Sequence, residues 1–127
     1  MALFFDYKLQ TPLSDPSYLF FEWHSTFPLL AIASYSPNST GQVHLHFEEG
    51  EHDDAAIIQR ASPPNNLIWH PKKKIFITSW EGGELTTWND NSKRLDSFTG
   101  LHQTTVTAMA WSSNGSRLVT GDMVRYF

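Results

Sequence analysis

The stretch Ile75-Phe76-Ile77-Thr78-Ser79-Trp80 decides the fold, because related stretches stand on both sides of it at nearly equal distances. It aligns without gaps on Leu29–Ser34 at an offset of 46 residues and on Arg117–Asp122 at an offset of 42. Repetition at this period is typical of a β-propeller, in which each repeat folds as one blade. The sequence therefore predicts a series of consecutive blades.

The match extends in both directions from this stretch. A tryptophan recurs at the same two offsets, six residues before each of the three stretches, in the pairs Trp23-His24, Trp69-His70 and Trp111-Ser112. Downstream, Gly41–Leu45 aligns on Gly83–Thr87 at an offset of 42. The extra length of the first unit therefore lies in the loop between Ser34 and Gly41. Surface loops tolerate such insertions.

Short apolar or alternating runs bounded by Pro, Gly, Asn and Asp predict antiparallel strands. The predicted strands are Tyr18–Trp23, Leu29–Ser34, Gly41–Phe47, Leu67–Trp69, Ile75–Trp80, Glu84–Trp88, Arg94–Phe98, Val106–Trp111 and Leu118–Thr120. The acidic and Pro-containing segment 50–64 is predicted to be a surface connection with a weak fourth strand near Ile57.

The predicted fold is all-β, a partial β-propeller of about two and a half to three antiparallel four-stranded blades whose ring is not closed. The units span about 18–60, 65–99 and 102–127, and the last is incomplete because Arg125 stands where the repeat requires Gly. Residues 1–17 are expected to complete a blade.

Composition excludes several functional classes. The 127 residues carry a net charge of −4 and no cysteine, which excludes disulfides and thiolate zinc sites and disfavours a nucleic-acid partner. The apolar start Met1–Phe5 is interrupted at once by Asp6, so no export signal is expected. The apolar runs fall short of the roughly 20 residues that span a bilayer, so no transmembrane segment is expected.

Enzymatic and metal-binding functions are also disfavoured. His44 and His46 have a spacing that can serve a metal, but their alternation with Val43, Leu45 and Phe47 favours a half-exposed strand. Neither a G-x-S-x-G elbow nor a G-x-x-x-x-G-K phosphate loop occurs. We therefore expect no catalytic residue, no metal and no cofactor.

The third unit resembles the WD40 repeat through His102, Val106–Ser112 and Leu118–Asp122, and the second through Gly83–Asn89. In that family a His before the first strand, a Ser or Thr in the second, an Asp in the next turn and a Trp in the third form a buried hydrogen-bonded set. The resemblance implies these roles for the residues His102, Thr120 and Asp122 of the third unit and Ser79 and Trp88 of the second.

Met1–Tyr7, Phe21–Ser34, Ile68–Pro71 and Trp80–Leu85 are similar to the start of the intraflagellar transport protein 140 family. That resemblance implies a non-catalytic scaffold of ciliary transport complex A, acting in retrograde transport, cilium assembly and delivery of membrane receptors. The implied partners are other complex A subunits and ciliary membrane-protein cargo or its adaptors. The implied locations are the cilium, the ciliary basal body and the cytoplasm or cytoskeleton.

Two alternatives stay open at this point. One is an unstable truncated product with no independent function, and the other is a generic WD40 adaptor unrelated to cilia. Trp23, Trp69, Trp88 and Trp111 are predicted to pack between blades as repeat positions. Trp80, where the other units have Ser34 and Asp122, is predicted to contact a partner together with the adjacent Glu81.

Overall fold

The computed structural model describes residues 18–36, 40–47 and 52–122. Within these ranges all regular secondary structure is β-strand. The predicted roles of 1–17 and 123–127 lie outside the described residues. The strands are β1 (Tyr18–Trp23), β2 (Leu29–Tyr35), β3 (Gly41–Phe47), β4 (His52–Arg60), β5 (Pro64–Trp69), β6 (Ile75–Trp80), β7 (Leu85–Asn89), β8 (Arg94–Phe98), β9 (Ala108–Trp111) and β10 (Leu118–Gly121).

The strands form three antiparallel sheets in simple chain order. Blade 1 has the order β1-β2-β3-β4, blade 2 has the order β5-β6-β7-β8, and blade 3 is the pair β9-β10. Within the described residues, the sheets do not close into a ring. The all-β, partial-propeller prediction is therefore confirmed.

The main apolar core lies between blades 1 and 2. Side chains alternate along a strand, so each sheet presents one set of residues to the next blade and another to the preceding one. The odd-numbered residues Leu29, Ala31 and Ala33 of β2 share one face and are buried in one cluster with Phe76 and Trp80 of β6. The other members of this core cluster are Val43, Leu45, Ala56, Ile58, Leu67 and Trp88.

The segment 50–64 departs from the sequence-based prediction. In place of a connection with a weak strand, it contains the nine-residue β4, which pairs with β3 across an irregularity between Val43 and Leu45. Ala56 is 0 % exposed and Ile58 is 2 % exposed, and both join the core between the blades. Their burial and the backbone pairing with β3 outweigh the low strand propensity of the acidic residues at the start of β4.

We expect Phe76→Ala to lower the free energy of unfolding by about 3 to 5 kcal/mol, because it leaves a cavity in a core where Phe76 is fully buried. The matched control is Phe21→Ala, which removes the same side chain where it is 63 % exposed and should cost about 0.5 kcal/mol or less. Urea unfolding followed by far-ultraviolet circular dichroism measures both. Equal losses would contradict a core placed between the blades.

Candidate functional site

Two histidines at the ends of the first strands connect neighbouring blades. His24 follows β1, and its Nδ1 accepts the backbone N–H groups of Thr26 at 2.9 Å and Phe27 at 3.2 Å. Because Nδ1 accepts, we assign the ring proton to Nε2, which then donates to the carbonyl of Lys73 in blade 2 at 2.9 Å. One imidazole thus fixes its own turn and reaches the turn of the next blade.

His70 repeats this arrangement after β5. Its Nδ1 accepts the backbone N–H groups of Lys72 and Lys73, both at 3.0 Å. Its Nε2 donates to the carbonyl of Gly115 in the β9–β10 turn at 2.9 Å. In blade 3 the equivalent position is Ser112, whose hydroxyl accepts the N–H of Arg117 within the same turn at 3.1 Å.

The repeated tryptophans complete these connections. The Trp69 ring meets His24 edge-on at a centroid distance of 5.1 Å, and its Nε1 donates to the carbonyl of Glu22 at 2.9 Å. Trp111 meets His70 in the same way at 4.6 Å. The Trp111 Nε1, however, is buried without a hydrogen-bond partner among the described residues. The seam, or interface, between blades 2 and 3 therefore lacks the indole hydrogen bond that the seam between blades 1 and 2 has.

The structure brings His102, Thr120 and Asp122 together, as the family resemblance implied. His102 Nδ1 lies 2.9 Å from Oδ2 of Asp122, and Nε2 lies 2.8 Å from Oγ1 of Thr120. An ionised carboxylate only accepts, so Nδ1 donates to Asp122 and a neutral ring accepts the Thr120 hydroxyl hydrogen. The side chains of His102 and Asp122 are 0 % and 2 % exposed. Because His102 lies before β9 and Asp122 follows β10, this buried set joins the loop before β9 to the end of β10.

Ser79 and Trp88 make separate contacts in blade 2. Ser79 donates to Oδ1 of Asn65 at 3.1 Å, and Nδ2 of Asn65 donates to the carbonyl of Val106 at 2.5 Å. Trp88 donates from Nε1 to Oδ1 of Asp90 at 3.3 Å. Asn65 was not predicted as a site residue, and its signal in the sequence is an amide side chain next to a predicted apolar strand.

The position of Trp80 corrects the prediction that it contacts a partner. Its side chain is 0 % exposed, and Nε1 donates to Oγ1 of Thr86 at 2.9 Å. The Arg60 guanidinium lies over the ring at 5.9 Å and pairs with Glu84 at 3.0 Å. Glu81 is exposed, and its backbone N–H donates to the carbonyl of Pro63 at 2.9 Å. Of the two predicted contact residues, only Glu81 is available at the surface.

Trp23 differs from its repeat equivalents. Trp69 and Trp111 are half-buried and Trp88 is buried, whereas Trp23 is 51 % exposed beside the exposed Phe21. The expectation that all four tryptophans pack between blades is therefore wrong for Trp23. The physical reason is that Trp69 and Trp111 pack on His24 and His70 of the preceding blade, whereas no blade precedes blade 1 among the described residues.

His44 and His46 are buried, at 2 % and 1 % exposure, which corrects the prediction of a half-exposed strand. Their rings meet edge-on at 4.8 Å. In the described ranges, no group of three or more His, Cys, Asp or Glu side chains is placed to hold a metal ion. The same ranges contain no helix that is long and apolar enough to cross a membrane.

Comparison with known proteins identifies the family. A sequence model described as the IFT140 first β-propeller matches residues 2–126. Polyadenylation factor subunit 2 of Cryptococcus neoformans var. neoformans serotype D is 29 % identical over 75 residues, which are 57 % of this chain and 10 % of that protein. The same-named protein of Eremothecium gossypii is 30 % identical over 56 residues, which are 44 % of this chain and 12 % of that protein. The matched region is thus about a tenth of these curated relatives.

We expect Gly115→Ala to lower the free energy of unfolding through the His70 connection. Gly115 has φ +75°, and an added Cβ would overlap the His70 ring. Strain at positive φ costs about 1 kcal/mol or more, and overpacking adds about 1 to 3 kcal/mol. The control is Gly100→Ala, at φ +88° with open space around the position, which pays only the backbone strain. Thermal unfolding measures both, and equal losses would contradict the connection.

Proposed function

Because this chain belongs to the IFT140 first β-propeller family, we propose that it is a non-catalytic scaffold segment of the intraflagellar transport complex A. The family match over residues 2–126 carries this proposal. In the proposed role the segment serves retrograde transport in the cilium, cilium assembly and ciliary delivery of membrane receptors. Its partners are other complex A subunits and membrane-protein cargo or its adaptors, and it works at the cilium and basal body.

The connected blades support a scaffold role, because a binding surface that is already ordered loses less entropy on association. The turn between β6 and β7 is one such surface. The Gly83 N–H donates to the Trp80 carbonyl at 3.1 Å, and the Glu81 N–H donates to the Pro63 carbonyl directly before β5. These bonds hold the exposed Glu81 side chain on a fixed backbone, where it can meet a basic partner residue.

The burial of the polar groups supports a role without catalysis. His102, Thr120 and Asp122 combine residue types that could serve acid–base chemistry. His102 is 2 % exposed and Thr120 is 4 % exposed, and the His102 ring nitrogens already bond the other two side chains. A substrate could not reach these atoms without unfolding the end of β10, so the three residues act as a structural support.

The alternative is a generic interaction module unrelated to cilia. The similarity to polyadenylation factor subunit 2 favours it, since the same kind of repeat occurs in a protein whose name points to another process. The two functions differ in the partners that they require. Identification of the bound proteins therefore separates them.

The test is affinity purification of the tagged chain from ciliated cells, followed by mass spectrometry. We expect complex A subunits to be enriched over a tag-only control, and Phe76→Ala, which opens the core, to lose them. Partners confined to non-ciliary processes would contradict the proposal in favour of the generic module. Degradation of the chain to undetectable levels would contradict it in favour of an unstable product.

We expect Glu81→Lys to lower the recovery of complex A subunits by several-fold, because reversal of an exposed charge at an interface opposes the approach of a basic partner. The matched control is Glu22→Lys, which makes the same change at another exposed position and should leave recovery within about twofold of the unsubstituted chain. Quantitative immunoblotting of the purified material measures both. Unchanged recovery for Glu81→Lys would show that this turn is not the contact.

A further inference from the structure

Four positively charged side chains lie at one end of blades 2 and 3. Lys72, Lys73 and Lys74 belong to the turn between β5 and β6, and Arg117 directly precedes β10 at the end of the β9–β10 turn. A histidine-to-carbonyl hydrogen bond joins the two turns. These four residues are called the basic end below.

The basic end differs from the other described lysine and arginine side chains in its lack of acidic partners. The others each pair with a carboxylate, in the pairs Arg60–Glu84, Lys93–Asp90 and Arg94–Asp96. Among the residues that the structure describes, no carboxylate lies within ion-pair distance of the basic end. Its positive charge is therefore uncompensated within this part of the chain.

The backbone that carries the three lysines is held by hydrogen bonds. Nδ1 of His70 accepts the N–H groups of Lys72 and Lys73, and the carbonyls of Lys73 and Lys74 accept bonds from blade 1 and from the β7–β8 turn. The Lys74 ammonium lies over the Phe27 ring at 4.9 Å. The bonds use main-chain atoms, so the exposed ammonium groups of Lys72 and Lys73 stay available on a fixed turn.

The two turns that bond to the lysine turn expose uncharged polar side chains. The β1–β2 turn, which donates to the lysine turn from the Ser25 hydroxyl, exposes Ser25 and Thr26. The β9–β10 turn exposes Ser113, Asn114 and Ser116. Hydroxyl and amide groups donate hydrogen bonds to carboxylates. This surface therefore adds donors to the positive charges and no described carboxylate.

The pattern of charge distinguishes between the classes of anionic ligand. A lipid surface is recognised by clusters of four to eight Lys or Arg, whereas only Lys72, Lys73 and Arg117 are exposed here. A nucleic acid favours a basic domain, and the net charge of this chain is −4. A short acidic peptide requires few cations. Repulsion by the rest of the chain would direct it to the basic end.

We propose that the basic end binds a short acidic segment of a partner protein, whose carboxylates contact Lys72, Lys73 and Arg117. The uncompensated charge of a fixed turn in a chain of net negative charge carries this assignment. The surface lies at the opposite end of blade 2 from Glu81. The inference is independent of the ciliary role.

A fluorescein-labelled hexaglutamate peptide is the probe, and fluorescence polarisation measures its binding to the full 127-residue chain. We expect saturable binding that weakens by about tenfold or more when the salt concentration rises from about 50 to 500 mM, because salt screens exposed charges. The control peptide has Gln in place of each Glu and should not bind. Absence of saturable binding, or equal binding of the two peptides, would overturn the proposal.

Substitutions in the chain locate the site. Lys72→Gln combined with Lys73→Gln removes two exposed charges and should weaken hexaglutamate binding by about fivefold. The matched control combines Gln59→Glu with Ala61→Glu, which lowers the net charge equally at exposed positions at the other end of the blades. It should change binding by about twofold or less. Equal effects would show a response to net charge alone and would overturn the assignment. Circular dichroism confirms that both variants retain their strands.

The backbone amide chemical shifts of the unsubstituted chain give a readout that does not depend on how the variants fold. Titration with hexaglutamate should shift the amides of residues 70–74 and 112–117 and leave those of β3 unchanged. Shifts confined to another surface would overturn the proposal. Binding to vesicles of phosphatidylcholine and phosphatidylserine without binding to hexaglutamate would also overturn it, in favour of a membrane ligand.

Discussion

The burial of one blade's apolar face against the next is the interaction on which the rest of the structure depends. A single four-stranded sheet has no interior, so Val43 and Leu45 of blade 1 become fully buried only because blade 2 packs beside them. The same contact buries Phe76 and Trp80 on the opposite side. Each blade therefore supplies only one side of a hydrophobic core, and a stable fold requires a neighbouring blade to supply the other.

Hydrogen bonds at the two ends of each seam fix the relative position of the blades. At one end, His24 and His70 donate to carbonyls in the turns of the following blades, beside the repeated tryptophans. At the other end of the first seam, Arg60 of blade 1 lies over the Trp80 ring and pairs with Glu84 of blade 2. At the other end of the second seam, Asn65 donates to the Val106 carbonyl. Apolar burial alone would allow the sheets to slide. The polar contacts at both ends define the register of the blades, which a scaffold needs in order to present a constant surface.

The period of the tryptophans and the alternation within each unit predicted most strands, because these patterns record local geometry. β4 was underestimated, since its apolar residues Ala56 and Ile58 follow acidic residues and are stabilised by non-local pairing with β3. Trp80 was misplaced for a related reason. A Cβ on Gly41 would collide with the Ser62 carbonyl and with Pro64 and would lie 3.1 Å from Cζ3 of Trp80, so a glycine in blade 1 leaves room for the start of β5 and for a tryptophan in blade 2. Complementarity of this kind between blades is invisible in a single repeat.

The buried hydrogen-bonded set in blade 3 could be predicted only through the family resemblance. No spacing rule connects His102 with Thr120 and Asp122, which are brought together when β10 folds back on β9 and the preceding loop. The burial of His44 and His46 was missed, because alternation with apolar residues does not distinguish a half-exposed strand from one covered on both faces. What the sequence leaves undetermined in both cases is the identity of the neighbouring surface.

Native-state hydrogen exchange of the full chain is the most direct test of the shared core. Because blades 1 and 2 bury each other, the slowest amides of β2 and β3 should exchange with the same free energy of opening as those of β6 and β7. All four strands should also lose protection at the same denaturant concentration. Exchange of β6 and β7 at a distinctly lower free energy, while β2 and β3 stay protected, would show that the blades fold independently and would contradict this account.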